Sequence, residues 1–413
     1  MRQGRLAPSA ADLLATARLL WPEPAEVELV SGRRTSAQAG PARDFLCLPA
    51  ASAPRLLVPA GATGATAASL RRYSAALDPQ ERIARAAAVM ATRSGLAGLL
   101  CKDRLRVEGA SDCIEDVLGE VLGEPVVVSL SLGNRRANQK PVLQVLSRRG
   151  RSLAFVKVGD SDVSRALVRH EAESLRYVAT LDLPSLVVPR VIEKVAWRGL
   201  DLLILSPLRT TARRRHDSRT APVAAMRELA SAAGGAEQWD TSAFWSSLRR
   251  DVDAVTDPAN AERLRHRMDV LAETAGGAHL RFGPWHGDWT PWNMSWEREG
   301  VLLWDWERFE AAAPRGWDVL HHRFAVLTWS GMPPAALSHL RDHAVPLLDT
   351  QEVPAEQASL VTDLYLLGLT VRYCLASQGA AGEPLRDRTR RLLDALAPMS
   401  AETSRLEQGV DRT

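Results

Sequence analysis

Three oxygen-bearing side chains, separated along the chain, define the chemistry available to it. Asp288 lies in His286-Gly287-Asp288-Trp289-Thr290-Pro291-Trp292-Asn293, which presents a carboxylate and, five positions on, a carboxamide. Asp305 opens Asp305-Trp306-Glu307 a further twelve residues along. Between them, Met294-Ser295-Trp296 and Val301-Leu302-Leu303-Trp304 flank Glu297-Arg298-Glu299-Gly300, the pattern of two short strands around a glycine-containing turn. A hairpin brings its ends together, so Asn293 and Asp305 are expected to be neighbours. Hard divalent cations such as Mg²⁺ take oxygen ligands and keep waters and substrate phosphates in the rest of their shell. A site with few protein ligands, whose metal bridges phosphates, is what phosphoryl transfer requires.

The order of an Asp, an Asn five positions later and then a second Asp follows the protein-kinase pattern. With His-Gly-Asp at 286–288 and Asp-Trp-Glu at 305–307, the stretch more closely resembles the aminoglycoside phosphotransferase and choline kinase group. The resemblance spans roughly residues 120–400, is centred on 286–318, extends through 157–175 and is absent before 118. It implies an α+β, two-lobed protein-kinase-like fold with a small β-rich N-lobe and a mainly helical C-lobe. It also implies Mg-ATP-dependent phosphorylation of a hydroxyl, usually on a small molecule such as an aminoglycoside, a sugar or a related alcohol. In that reading Asp288 orients or deprotonates the hydroxyl, Asn293 and Asp305 hold Mg²⁺, and Asp318 braces the catalytic loop. His286 is read as a hydrogen-bond donor that shapes the loop, and Glu307 either joins the metal site or faces solvent. His321 and His322 are adjacent and diverge on a helix, which disfavours a metal pair. Seven of the 12 tryptophans fall between 285 and 317, most of them expected in the core. Trp289 and Trp292 are the candidates for a wall against which a sugar or cyclitol ring stacks.

These residues need elements to position them. Strand patterns run over Val126–Leu130, Val142–Leu146 and Leu153–Val158. The first connection, from Gly133-Asn134 to Lys140, stands where kinases fold a glycine-rich loop over phosphates, although it has one glycine; a phosphate cradle and a solvated turn both fit it. Lys157 lies in an apolar β run where an unpaired ammonium is costly, so it needs a partner. On the following helix, Ser164 to Thr180, Glu171 shares the apolar side with Leu167, Val168, Leu175 and Val178 and is the preferred partner, with Glu173 as the alternative. Lys157 would then reach the α- and β-phosphates. Further strands at Leu186–Ile192 and Leu200–Leu205 lead into Ser206-Pro207-Leu208, where Leu205 and Pro207 are expected to line the purine slot. The arginine-rich stretch from Arg209 to Arg219 reads as a solvated connection in preference to an anion contact. Helical patterns follow at 222–233, 241–255, 259–274, 355–378 and 383–397.

The expected division is an accessory region over 1–118, an N-lobe over 119–208, a C-lobe over 209–400 and a polar tail over 401–413. The first region carries a helical pattern near Ala11–Leu20, apolar pieces ending at Pro49 and Pro59 that suit edge strands, a loop at Ala60–Gly64 and a helical pattern over Asp78–Arg93. The chain is 24% charged and 46% hydrophobic, an ordinary globular make-up at 413 residues. A net charge of +3 over that length is too small a surplus to point to nucleic acid or a membrane as the main partner. Four scattered cysteines without a C-x-x-C pair suit free thiols, and no run is expected to approach the ~20 apolar residues of a membrane span. The expected setting is therefore the cytoplasm, with Mg²⁺ and ATP (or GTP) as co-substrates and a hydroxyl-bearing small molecule as acceptor. A kinase of peptide Ser/Thr hydroxyls and a nucleotide-binding pseudokinase scaffold are the alternatives.

Overall fold

The structure, a computed structural model, describes residues 8–31, 43–70, 103–133, 140–210, 217–378 and 380–396. The expected helix over Asp78–Arg93, and with it Asn134, Cys101, Arg213, Arg214, Arg215, His216 and the tail, fall outside them. The chain divides into two compact units. One comprises Gly4–Thr220 with Thr290–Phe309, the other Ala221–Trp289 with Glu310–Thr413.

The first unit is built on a sheet. Helix α1 (Ala10–Leu20) starts at Ser9, whose hydroxyl accepts from the Asp12 amide while the Asp12 carboxylate accepts from the Ser9 amide, so two otherwise orphaned donors are satisfied. It is followed by β1 (Glu26–Ser31), β2 (Arg43–Leu48), β3 (Leu56–Pro59), α2 (Thr63–Leu70), β4 (Asp103–Glu108) and α3 (Ile114–Leu122). Then come β5 (Val127–Ser131), β6 (Val142–Leu146), β7 (Ser152–Gly159), α4 (Asp162–Val178), β8 (Leu186–Val187), β9 (Val191–Trp197) and β10 (Leu200–Leu205).

Nine of these strands form one sheet in the order β1-β4-β2-β3-β5-β6-β7-β10-β9, antiparallel throughout. The strands before residue 118 therefore continue the sheet that carries Lys157, through the pairing of Leu57 with Leu130. A single apolar core runs from Leu13, Trp21 and Phe45 through Leu105 and Ile114 to Leu143, Val156 and Leu202. The two proline-ended pieces are not edge strands: β2 lies between β4 and β3, and β3 between β2 and β5. Pro59 is tolerated because it is the last residue of its strand, where a missing N–H interrupts no further rung. The run expected as one strand over 186–192 is two, parted around Pro189.

The second unit contains α5 (Val223–Ser231), β11 (Ala236–Gln238), α6 (Ala243–Asp253), α7 (Pro258–Ala275) and β12 (His279–Trp285). The chain then returns to the first unit for β13 (Met294–Glu297) and β14 (Gly300–Leu303), and β14 pairs in parallel with β8. It resumes in the second unit with β15 (Glu310–Pro314), α8 (Trp317–Leu327), α9 (Ala336–Asp342), α10 (Ala344–Asp349), α11 (Ala358–Ala376) and α12 (Arg386–Leu396). Helix α7 opens with Pro258 in its first turn and Asp257 accepting from the Asn260 amide. Strand β12 is fixed between β11 and β15, and Gly283 lets it pass so near α5 that a Cβ there would sit 2.0 Å from the Ala230 carbonyl oxygen. Behind β12 the indoles of Trp285 and Trp317 meet edge to face at 5.0 Å, and Phe244 meets Trp317 at 5.1 Å. The sequence reading passed over one apolar run: Ala355–Ala376 is long and apolar enough to cross a membrane by length and composition. It packs inside this unit, with Val361, Leu364, Leu367 and Val371 in its core. Both units together make the α+β architecture expected, one β-rich and the other mainly helical.

Candidate active site

In the helical unit, the segment after β12 is clamped by side chains from two helices. The Asp318 carboxylate, in the first turn of α8, accepts the backbone N–H of His286 at 2.9 Å and of Gly287 at 3.4 Å. Arg372, on α11, donates to the Gly287 carbonyl at 2.6 Å and spreads its guanidinium 5.2 Å from the Trp285 ring. Gly287 has φ +81, a conformation open to glycine at little cost. His286 is fully buried, and its Nδ1 accepts the Asp288 N–H at 3.2 Å. The turn aims the Asp288 amide back at the ring, so Nδ1 helps to shape the loop as an acceptor.

The Asp288 carboxylate is held as well. Its Oδ1 lies 3.2 Å from His321 Nε2, and His321 Nδ1 lies 3.1 Å from the Tyr365 hydroxyl. Burial pushes His321 below the usual histidine range, against the opposing pull of its bond to Asp288. Burial also pushes Asp318 up to about 7, although its two backbone N–H donors favour the ionised form. Sequence reasoning missed His321, Tyr365 and Arg372. For His321 and Tyr365 the one available signal was a polar side chain at a buried position of a largely apolar helix.

Trp289 does not fit the stacking wall proposed for it. It is fully buried and packs its ring against His286 at a centroid distance of 6.1 Å, so no acceptor ring can reach its face. Trp292 belongs to the first unit and is half-buried.

The sheet-based unit carries the other charged groups. Lys157 leaves β7 and places its Nζ 2.5 Å from Glu171 Oε1 and 2.5 Å from Asp305 Oδ1. Glu171 projects from the buried face of α4, has no exposed surface, and its Oε1 also accepts the Trp306 N–H at 3.2 Å. The alternative partner, Glu173, is exposed. Burial alone would lower the lysine, but the two carboxylates outweigh it and hold Lys157 above the ordinary lysine range. The β13–β14 hairpin pairs Met294 with Leu303, and the Trp304 N–H bonds to the Asn293 carbonyl at 3.0 Å, which draws Asn293 and Asp305 to the same hairpin end. Asn293 is 5% exposed. Asp305 adopts φ +74, a left-handed conformation that costs a non-glycine residue free energy and is retained only where its surroundings impose it.

The cluster extends to Lys140, at the threshold of β6, whose ammonium meets the Glu307 carboxylate. Burial lowers Lys140 to about 8, with Lys157 adding to the effect. Glu307 is thus committed to a lysine and does not simply face solvent. Carboxylate oxygens of Glu171, Asp305 and Glu307 lie within 4.8 Å of one another, and Glu171 Oε2 is buried without a hydrogen-bond partner. Three carboxylates face two ammonium groups, so the cluster has a surplus of hard oxygen donors that suits a Mg²⁺ ion.

The remaining nucleotide candidates are less defined. Gly133 is exposed at the end of β5, and Asn134 lies outside the described residues. Leu205 is buried at 4% exposure, and Pro207 is half-buried. The Ser206 N–H is used by the Arg190 carbonyl at 2.8 Å and Pro207 has no N–H, so the first amide beyond the strand that a purine edge could use is that of Leu208.

No protein-family model matches the chain, and no curated protein matches it. Among solved structures it is similar to a putative fructosamine-3-kinase from Haemophilus somnus 129PT, with 13% identity, a TM-score of 0.43, and coverage of 69% of this chain and 96% of that one. It is similar also to a thermostable mutant of the aminoglycoside phosphotransferase APH(4)-Ia in ternary complex with ADP and hygromycin B, with 14% identity, a TM-score of 0.44, and coverage of 69% and 99%. A third is the ADP-bound aminoglycoside phosphotransferase APH(2'')-Ib, with 13% identity, a TM-score of 0.42, and coverage of 67% and 95%.

Proposed function

We propose that the chain is a cytoplasmic Mg-ATP-dependent O-phosphotransferase with a kinase-like fold that acts on a hydroxyl of a small molecule. The observation that carries the reading is Lys157, whose ammonium is held between the buried Glu171 and the hairpin-end Asp305. An ammonium fixed in a buried ion pair can meet nucleotide phosphates without first paying the full cost of its own ordering. Asn293 and Asp305 would hold Mg²⁺, which would supply charge neutralisation on the phosphates when bound. Lys140 offers a second cation on the same face of charge.

Asp288 orients the acceptor hydroxyl and receives its proton as the oxygen bonds to the γ-phosphorus. The bond from that phosphorus to the bridging oxygen breaks, and ADP carries the electron pair away. For a loose transition state of this kind, positioning of the hydroxyl matters more than strong basicity. The clamp on residues 286 and 287 serves that positioning: Asp318 and Arg372 fix the backbone immediately before the carboxylate-bearing residue.

The test is ADP release from Mg-ATP over a panel of aminoglycosides, sugars and Ser/Thr peptides, with Asp288→Asn as control. Turnover on one of the small molecules, abolished in the variant, supports the reading. Turnover on peptides alone would replace it with a peptide kinase, and nucleotide binding without turnover on any acceptor would replace it with a scaffold.

A further inference from the structure

We propose that His321 is a positioning residue for Asp288, held as its neutral Nε2–H tautomer by the Tyr365 hydroxyl. The inference rests on the phosphotransfer reading of Asp288. The three groups form one buried chain: Asp288 Oδ1 to His321 Nε2 at 3.2 Å, and His321 Nδ1 to the Tyr365 hydroxyl at 3.1 Å. They come from the β12 loop, from α8 and from α11, so three separate elements converge on the imidazole. An ionised carboxylate only accepts hydrogen bonds, so the nitrogen facing it must carry a proton. In a neutral ring the other nitrogen is then an acceptor, and the Tyr365 hydroxyl is the donor that satisfies it. An imidazolium would reverse the tyrosine's role, but the site is buried and faces the Arg372 and Arg388 cations as well as Asp288. Tyr365 itself is fully enclosed and stays protonated, so it remains able to donate.

The consequence is geometric. Anchoring Oδ1 fixes the rotation of the Asp288 carboxylate and with it the direction of the second oxygen. Small misplacements of a group that orients a nucleophile are costly in rate, while nucleotide binding, which uses other residues, is left alone. Trp285 stands edge-on to the ring at 6.4 Å.

The amide of glutamine superposes on the Nε2 of histidine, that of asparagine on Nδ1. His321→Gln therefore keeps the donor to Asp288, and His321→Asn keeps only the side facing Tyr365. With water as the acceptor, ADP release from Mg-ATP by the full-length chain is expected to fall about 10- to 100-fold in His321→Asn, with the KM for ATP unchanged, and to be largely restored in His321→Gln. Equal loss in the two variants, or loss expressed in KM alone, overturns the proposal. A second measurement does not depend on turnover: the ¹⁵N shifts of His321 in the labelled chain should report the Nε2–H tautomer and should change in Tyr365→Phe. An Nδ1–H tautomer overturns the positioning role even if the chain proves active. Absence of ADP release from the wild type on water and on every acceptor, with the tautomer as described, overturns instead the phosphotransfer reading and the catalytic meaning of the pair with it.

Discussion

The Lys157 ammonium sits 2.5 Å from the buried carboxylate of Glu171, which reaches it from a helix that begins only three residues after the lysine's own strand ends. Lys157→Met leaves Glu171 buried without its cation, and Glu171→Gln leaves Lys157 with Asp305 alone. Breaking a buried pair from one side costs about 3 to 5 kcal/mol, and replacing both partners costs less than the sum. Urea denaturation of the two single variants and the double variant is expected to show that coupling. Additive losses would mean the pair does not act as a unit.

Asp305→Asn and Asp288→Asn should separate binding from chemistry. Asp305→Asn removes a charged oxygen donor and is expected to weaken Mg-nucleotide binding at least tenfold by calorimetry, in keeping with the loss of a hard ligand. Asp288→Asn is expected to bind Mg-ATP as the wild type does and to lose about 100-fold or more in turnover. Equal nucleotide affinity in all three proteins would exclude Asp305 from the metal.

Asp318 predicts a pH dependence. Its value in the folded chain, about 7, lies above the ordinary 3.8, so between those limits the native state holds a proton that the unfolded chain releases. The stability this group contributes is present below about pH 4 and is lost as the pH rises towards 7. An Asp318→Asn variant cannot titrate, so the stability difference between wild type and variant should shift against the wild type by about 2 to 3 kcal/mol from pH 5 to pH 8. A difference that is flat with pH would show that the carboxylate is ionised throughout.

Gly64 and Gly150 cross at contact distance. A Cβ on Gly150, which has φ +88, would stand 2.3 Å from the Gly64 carbonyl oxygen, and one on Gly64 would stand 2.6 Å from the Arg149 carbonyl oxygen. Neither obstacle is a flexible side chain. Gly150→Ala is therefore expected to destabilise the chain by about 2 kcal/mol or more, and Gly64→Ala comparably, as read by the urea midpoint. A change below about 0.5 kcal/mol would show that α2 can move off the β6–β7 turn.

Three thiols should resist alkylation. Cys47, Cys113 and Cys374 are buried, and burial pushes Cys113 up to about 12 and Cys374 up to about 11. In native protein at pH 8, iodoacetamide is expected to leave all three unmodified by mass spectrometry, and to modify them in urea. Rapid native labelling of Cys113 would place it outside the core.

Much of the sheet was legible because alternation and turn residues mark strands directly: Val142–Leu146 and Leu200–Leu205 fall where the pattern put them. The choice of Glu171 over Glu173 was legible from helical spacing alone. What misled was proline: Pro49 and Pro59 suggested edges, whereas strand order depends on pairings across the chain that no local signal encodes. His321, Tyr365 and Arg372 were not legible for a related reason. His321 and Arg372 reach the 286–288 loop from 33 and more positions away, Tyr365 acts through His321, and a polar residue in an apolar helix gives no hint of which loop it serves. Trp289 was misread because a tryptophan beside a reactive carboxylate looks the same in sequence whether its face is open or enclosed.

The excursion of residues 290–309 out of the helical unit and back has a consequence for how this protein can be taken apart. The hairpin carrying Asn293 and Asp305 folds with Gly4–Thr220, yet its codons lie inside those of the other unit. No single cut in the gene yields either unit whole. A fragment ending near 220 would possess Lys157 and Glu171 but lack Asp305, the second carboxylate on that ammonium, and would leave the parallel edge of β8 bare. Any rearrangement that exchanged the helical unit for a different one would have to splice near 220, 289 and 309 at once.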